Sequence, residues 1–148
     1  MEKQNYTATI EVKATAEKAF RDINNVSGWW TENLEGKSEK LDDVFTVQFG
    51  PDSFVTHRLV EVDPNNKAVW LVTDCYLSWL KDKTEWTGTQ MSFEISTENN
   101  PTVVHFTHIG LVPEVECYND CVKGWDQYIK VSLLKLINDG KGEPQMKK

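Results

Sequence analysis

The last third of the chain combines the end of a strand with a long stretch of regularly spaced apolar residues. After residues 106–111, apolar side chains recur at intervals of three or four residues at Val122, Trp125, Ile129, Leu133 and Leu136. This spacing predicts one amphipathic helix over residues 117–139, ended by Gly140 in a left-handed conformation. At about 1.5 Å per residue the helix would be roughly 35 Å long. A helix of that length can cross a whole small sheet and close a hollow one, inside which a molecule could bind.

The first thirty residues predict one strand and two short helices. Residues 6–12 alternate apolar and polar side chains, which is typical of a strand with one buried face. Thr15 is predicted to cap a helix over residues 16–23. Residues 26–30 predict a second helical turn that carries Trp29 and Trp30.

The middle of the chain predicts a series of strands. Segments rich in β-branched and aromatic residues cover positions 44–49, 54–62, 68–73, 85–95 and 102–109, with a short strand between 34 and 40. The links between them are short and rich in Gly, Pro, Asp and Asn, which favours antiparallel neighbours. The order predicts an α+β fold in which a curved antiparallel sheet of about six or seven strands surrounds the C-terminal helix.

Length and charge limit the classes of function. A chain of 148 residues suits one domain, here over 1–142, with a flexible polar tail at 143–148. The formal net charge of −7 disfavours binding to nucleic acid and to anionic membranes. The N-terminus lacks an apolar leader and no apolar run reaches about 18 residues, so a cytoplasmic location without membrane insertion is expected. Three cysteines are expected to be reduced thiols.

Several motifs resemble a known superfamily over nearly the whole chain. They are Phe106-Thr107-His108-x-Gly110-Leu111, Gly124-Trp125-x-x-Tyr128, Gly140-Lys141-Gly142, Trp29-Trp30 and Val62-Asp63-Pro64. With these the chain resembles the START-like, or SRPBCC, superfamily of helix-grip proteins, and within it the branch named for the activator of the heat-shock-protein-90 ATPase. The resemblance implies the helix-grip fold. Superfamily members bind lipids, hormones or polyketides, a few are cyclases or hydrolases, and many of this branch have no assigned role. A stress-related function is one expectation for this chain.

The space between the sheet and the helix is the expected ligand site, because such gaps are where small molecules usually bind. The candidates to line it are Trp30, Phe49, Trp70, Met91, Phe93, Phe106, His108, Cys121, Trp125 and Tyr128. His108 and Tyr128 are the polar groups expected to orient a small apolar or aromatic ligand. The alternative is that the aromatic residues simply fill a core.

His108 and the cysteines each allow a structural interpretation beside a chemical one. His108 shares strand parity with Val104 and Phe106, so it is predicted to face inward, while His105 faces outward. It could contact a ligand or act as a base, or it could be a core histidine whose hydrogen bonds are satisfied. Cys117 and Cys121 are spaced one helical turn apart, but the spacing is not that of a zinc motif, so no metal and no cofactor is predicted.

No catalytic motif is present in the sequence, and the main hypothesis is a non-enzymatic ligand-binding domain that is a monomer or weak dimer. One alternative is a protein-interaction module for a chaperone, which would use an exposed strand edge or the Trp29–Trp30 region. A weaker alternative is a cyclase- or hydrolase-like enzyme that uses His108 in the cavity.

Overall fold

The computed structural model describes residues 5–48, 52–78, 81, 83–97, 102–111 and 118–143. The strands are β1 (Tyr6–Val12), β2 (Leu34–Gly36), β3 (Val44–Gln48), β4 (Phe54–Asp63), β5 (Lys67–Tyr76), β6 (Gln90–Ser96) and β7 (Thr102–Ile109). The helices are α1 (Ala16–Asn24), α2 (Val26–Trp29), α3 (Tyr118–Trp125) and α4 (Leu134–Asp139), with a π-helix over Asp126–Leu133 between the last two.

The strands form one antiparallel sheet in the order β1-β7-β6-β5-β4-β3-β2. The order confirms the predicted meander. The last strand, β7, pairs with β1, and Tyr6 lies opposite His108 in their register. One strand was predicted too long, because residues 84–88 form turns and β6 begins only at Gln90. Gly88 has a φ of 90°, which an extended strand does not allow.

Local chemistry accounts for the beginning of the chain. In β1 every second residue is buried, as the alternation predicts, and this face lies against the core. The hydroxyl of Thr15 accepts a hydrogen bond from the Lys18 backbone N–H at 3.1 Å, which confirms it as the cap of α1. Ala19 and Ile23, both in α1, are fully buried. Helix α2 follows after one residue and has only four residues.

The C-terminal helix is not one continuous α-helix, which corrects the prediction from its spacing. Its middle eight residues form a π-helix, with α-helix on either side. Trp125, Ile129 and Leu133 follow one another at four-residue steps and are all buried. Four residues overshoot an α-helical turn of about 3.6, so this stripe would drift around the helix. The wider π turn offsets the drift and keeps the three side chains facing the sheet.

A polar contact holds the π-helix at the edge of the sheet. The Tyr6 hydroxyl donates to Asp126 Oδ1 at 2.5 Å, and Lys130 Nζ lies 3.3 Å from the same oxygen. Burial and, secondly, the Asp126 carboxylate raise the pKa of Tyr6, so its hydroxyl remains a donor. The contact joins the first residue of β1 to the first turn of the π-helix.

The segment after α4 folds back over the C-terminal helix. Gly140 ends α4 with a φ of 84°, as predicted from the sequence. Buried Ser132 donates to the Trp29 carbonyl at 2.6 Å and accepts from the Glu143 backbone N–H at 2.7 Å. Glu143, predicted to begin a loose tail, is therefore attached here, and the remaining tail residues 144–148 lie outside the described residues.

We predict that Gly142→Ala lowers the free energy of unfolding by about 1–3 kcal/mol. A Cβ at this position would meet the Gly28 carbonyl oxygen at 2.5 Å and the Ser132 carbonyl oxygen at 2.8 Å, and both are backbone atoms. Urea denaturation followed by circular dichroism measures the change. The matched control is Gly124→Ala, because no atom of the described residues beyond its neighbours and its own helix backbone lies within 4 Å of the added Cβ. Alanine there should keep or raise stability by up to about 1 kcal/mol. Equal effects of the two variants would contradict this account of the Gly142 contact.

Candidate functional site

The inner face of the sheet, helix α2 and the C-terminal helix meet in a cluster of large aromatic side chains. We call the following seven residues the aromatic cluster: Trp29, Trp30, Phe45, Trp70, Phe93, Phe106 and Trp125. Each is at most 3% exposed. They come from β3, β5, β6, β7, α2 and the end of α3, so the tertiary fold brings them together.

The rings of the aromatic cluster contact one another along a continuous path. The ring centroids are 5.1 Å apart for Phe45–Trp70, 4.7 Å for Trp70–Phe93, 4.9 Å for Phe93–Phe106, 4.8 Å for Phe106–Trp125 and 5.0 Å for Trp125–Trp30. Such pairs each contribute about 0.5–1.5 kcal/mol beyond the burial of their area. These packed rings therefore occupy the interior in which the ligand site was predicted.

A buried imidazole lies among these rings. His57 on β4 is 0% exposed and stacks on Phe45 at 4.5 Å with an interplanar angle of 13°. It meets Trp30 and Trp70 nearly at right angles, with centroid separations of 5.4 and 5.9 Å. His57 and Arg58 are neighbours on a strand and must face opposite ways, but the sequence alone does not decide which points inward. His57 does, while Arg58 is exposed and bonded to Asp42.

The polar atoms at this position are unpaired. Neither ring nitrogen of His57 has a hydrogen-bond partner among the described residues, and the same holds for Nε1 of Trp70. The Phe45 backbone lies near enough to raise the pKa of the imidazole, but the contact does not meet the geometric criteria of a hydrogen bond. Buried polar groups are usually paired, so an unpaired imidazole beside an unpaired indole calls for an explanation.

Burial keeps the His57 imidazole neutral. Desolvation, partly opposed by the Phe45 backbone and assisted by the nearby His108, lowers its pKa to about 3. A neutral imidazole offers one N–H donor and one nitrogen acceptor. The aromatic interior thus holds a donor, an acceptor and a second donor from Trp70 without a charge.

His108, in contrast, is fully paired. Trp125 Nε1 donates to His108 Nδ1 at 3.0 Å, and because an indole N–H only donates, the imidazole proton is assigned to Nε2. His108 Nε2 then donates to Thr89 Oγ1 at 2.9 Å, and the Thr89 hydroxyl donates to the Trp86 carbonyl at 2.7 Å. Burial lowers the pKa of His108 to about 3. This arrangement matches the alternative of a core histidine.

The structure brings most of the predicted lining residues into one core. Trp30, Trp70, Met91, Phe93, Phe106, His108 and Trp125 are all buried. Tyr128 is half-buried on the π-helix, and burial raises the pKa of its hydroxyl. Phe49 lies outside the described residues. His57 was missed as a candidate, although it shares parity with Val55 and Leu59, and that parity is the signal that could have placed it inward.

The cysteines match the expectation of reduced thiols only in part. Cys75 is a buried free thiol as expected, whereas the half-buried Cys121 is disulfide-bonded, and Cys117 lies outside the described residues. His105 is exposed and contacts Thr9 Oγ1 at 2.7 Å on the face opposite His108, as its strand parity predicts. Among the described residues no group of three or more His, Cys, Asp or Glu side chains could hold a metal ion. Within those same ranges no helix has the length and apolar character to span a membrane.

Several solved structures share this fold. The solution structure of the Aha1 dimer from Colwellia psychrerythraea is 23% identical, with a TM-score of 0.75 over 94% of this chain and 99% of that chain. A protein from Staphylococcus saprophyticus is 13% identical, with a TM-score of 0.70 over 97% of this chain and 98% of the other. DynU16, from the dynemicin biosynthetic locus, is 14% identical, with a TM-score of 0.69 over 95% of this chain and 49% of its own.

The likeness extends to the fold alone at these identities. No protein-family model and no curated protein matches the sequence. The seven-stranded antiparallel sheet around a C-terminal helix confirms the predicted α+β helix-grip fold. The likeness to the Aha1 structure agrees, at the level of the fold, with the predicted resemblance.

We predict that stability falls on acidification below about pH 6.5, the ordinary histidine pKa. The folded pKa values of His57 and His108 are lowered to about 3, so between these limits the unfolded chain binds more protons than the folded one. Each histidine should cost about 2 kcal/mol of unfolding free energy between pH 7.5 and pH 5.0. Urea denaturation at the two pH values measures the difference.

Variants assign this pH dependence to its source. His57→Phe should remove about half of the difference between the two pH values, because one titrating group is lost. His105→Gln, which removes an exposed imidazole, serves as the control and should keep the full difference. Equal unfolding free energies at both pH values in the unaltered protein would contradict the buried neutral state of the two imidazoles.

Proposed function

We propose that the chain is a non-enzymatic binding domain for a neutral, planar aromatic small molecule that lies in the aromatic cluster beside His57 and Trp70. One observation carries the proposal: the unpaired imidazole nitrogens and indole N–H in an otherwise apolar interior. Ligand sites combine apolar walls with a few convergent polar groups, and the described residues provide both here.

The unpaired atoms indicate the chemistry of the ligand. An unsatisfied buried polar group costs about 1–3 kcal/mol, and a phenylalanine at position 57 would avoid that cost. The presence of histidine at position 57 is explained if its N–H donor and its nitrogen acceptor pair with a bound molecule. The complementary molecule carries a carbonyl or hydroxyl acceptor for the N–H groups and a hydroxyl donor for the imidazole nitrogen. It is uncharged, because the imidazole is neutral and no charged side chain belongs to the aromatic cluster.

Binding requires one ring of the cluster to move, and in this proposal that ring is Trp30. Trp30 follows the four-residue helix α2, which has no side-chain cap. The neighbouring Trp29 is anchored, since its indole donates to the Ile23 carbonyl at 3.0 Å and its own carbonyl accepts from Ser132. Movement of Trp30 exposes the face of Trp70, which is stacked parallel to it with an interplanar angle of 4°.

We predict that hydroxylated or carbonyl-bearing aromatic compounds raise the melting temperature and change the tryptophan fluorescence. Flavonoids, naphthoquinones and hydroxyindoles form the panel, with the corresponding hydrocarbons for comparison. His57→Phe should abolish the ligand-dependent shift while keeping or raising the stability of the free protein by about 1 kcal/mol, because an unpaired polar group is removed.

The control variant places the same ring on the other face of the sheet. His105→Phe should bind as the unaltered protein does, because His105 is exposed and lies away from the cluster. The proposal fails if no compound in the panel binds, if the hydrocarbons bind equally well, or if His57→Phe retains full affinity.

A second candidate is a chaperone-associated interaction module, favoured by the likeness to the Aha1 dimer and by exposed apolar side chains. Trp29 and Trp30, expected as its surface, are at most 2% exposed, so that expectation is wrong. Leu41 and Val44 are instead 57% and 49% exposed.

For this candidate we predict that the protein accelerates ATP hydrolysis by a heat-shock-protein-90 chaperone and that Leu41→Ser with Val44→Thr reduces the effect severalfold. Both side chains are exposed, so the fold should tolerate the change. The chaperone's ATPase rate is the measurement, with Ile109→Thr, at an exposed position on β7, as the control. An ATPase rate unchanged by the protein would exclude this candidate.

A further inference from the structure

A surface groove lies where the junction of α1 and α2 faces β2 and the loop after it. Its volume is about 640 Å³, which is within the usual range for small-molecule sites. None of the seven rings of the aromatic cluster lines it. The groove is therefore a separate site from the proposed interior one.

Asn24, the last residue of α1, lines the groove and carries a buried, unpaired amide oxygen. The residue is 8% exposed, and its Oδ1 has no hydrogen-bond partner among the described residues. The backbone carbonyl of the same residue accepts from the buried Ser38 hydroxyl at 2.6 Å. That bond joins the end of α1 to the loop after β2 and holds the Asn24 backbone beside the groove.

The charges of the groove favour an anion. Arg21 and Lys37 line it, are exposed, and enter no ion pair within the described part of the chain. Asp22 is neutralised by Lys18 Nζ at 2.6 Å, which leaves Glu39 as the other carboxylate. Two cations against one unpaired acid give a net charge of about +1 at this site, in a chain whose net charge is −7.

Apolar surface completes the site. Phe20 and Leu34 line the groove and are half-buried, and Val26 is buried at the start of α2. They provide a wall on which an aliphatic or aromatic group can pack, while the cations remain at the solvent side. The groove thus combines an apolar surface, an unpaired amide acceptor and two cations.

We propose that this groove binds a small monocarboxylate that carries an N–H donor and an apolar side chain, the chemistry of an N-acylated amino acid. The Asn24 amide turns toward the groove so that its Oδ1 accepts from the ligand N–H, and the carboxylate accepts from Arg21 and Lys37. The side chain lies on Phe20 and Leu34. The N–H of the ligand thereby pairs an acceptor that has no partner among the described residues.

The experiment is a titration of the ¹⁵N-labelled protein with N-acetyl-L-leucine, followed by heteronuclear NMR. Saturable shifts are expected for the amides of residues 20–27 and 34–39. 4-Methylpentanoate lacks the N–H donor, and N-acetyl-L-leucine amide lacks the charge. 4-Methylpentanoate should bind severalfold more weakly, because it loses one neutral hydrogen bond, and the amide about tenfold more weakly, because it loses charge-assisted ones.

Variants test the same contacts from the protein side. Arg21→Gln and Lys37→Gln should each weaken N-acetyl-L-leucine severalfold, while Lys40→Gln, an exposed cation that does not line the groove, should not. Asn24→Leu should remove the preference for N-acetyl-L-leucine over 4-methylpentanoate, and if this variant does not fold, the comparison of the two ligands in the unaltered protein tests the same contact. No saturable shifts at millimolar ligand, equal affinity for all three compounds, or shifts confined to the aromatic cluster would overturn the proposal.

Discussion

The hydrogen bond from the Trp125 indole to His108 holds the C-terminal helix against the sheet, and the packing of the interior depends on it. Trp125 is the only cluster ring carried by that helix, and it contacts both Phe106 of the sheet and Trp30 after α2. Removing either partner would leave a buried polar group unpaired, at a cost of about 1–3 kcal/mol. The bond therefore fixes where the helix lies as well as how firmly it is held.

The two buried histidines show why burial alone does not identify a site. His57 and His108 are both 0% exposed, and desolvation lowers the pKa of each to about 3. His108 bonds through both ring nitrogens, to Trp125 and Thr89, so its hydrogen-bonding capacity is used within the fold. His57 uses neither among the described residues. The difference between a structural and a candidate binding histidine lies in this pairing.

Local patterns explain how much of this structure the sequence could predict. Alternation in β1 and the Thr15 cap depend on neighbours in the chain, and both were predicted correctly. The π-helix was not, because four-residue steps at Trp125, Ile129 and Leu133 also suit an α-helical stripe when the sheet is not known. The inward position of His57 stayed undecided beside Arg58, since both residues are polar. The interior is filled by rings from six strands and helices, and no local sequence pattern predicts the contacts between them.

Helix α2 borders both proposed sites, and this position has a thermodynamic consequence. Trp29 and Trp30 extend from its end into the aromatic cluster, while Val26 and Ser27 line the groove. A ligand that displaces Trp30 must shift the end of a helix only four residues long, whereas Ser132 holds the Trp29 carbonyl in place. If both ligands bind, the factor by which the first changes the affinity for the second equals the factor by which the second changes the affinity for the first. The shortness of α2 therefore makes it the element through which the two sites would be coupled.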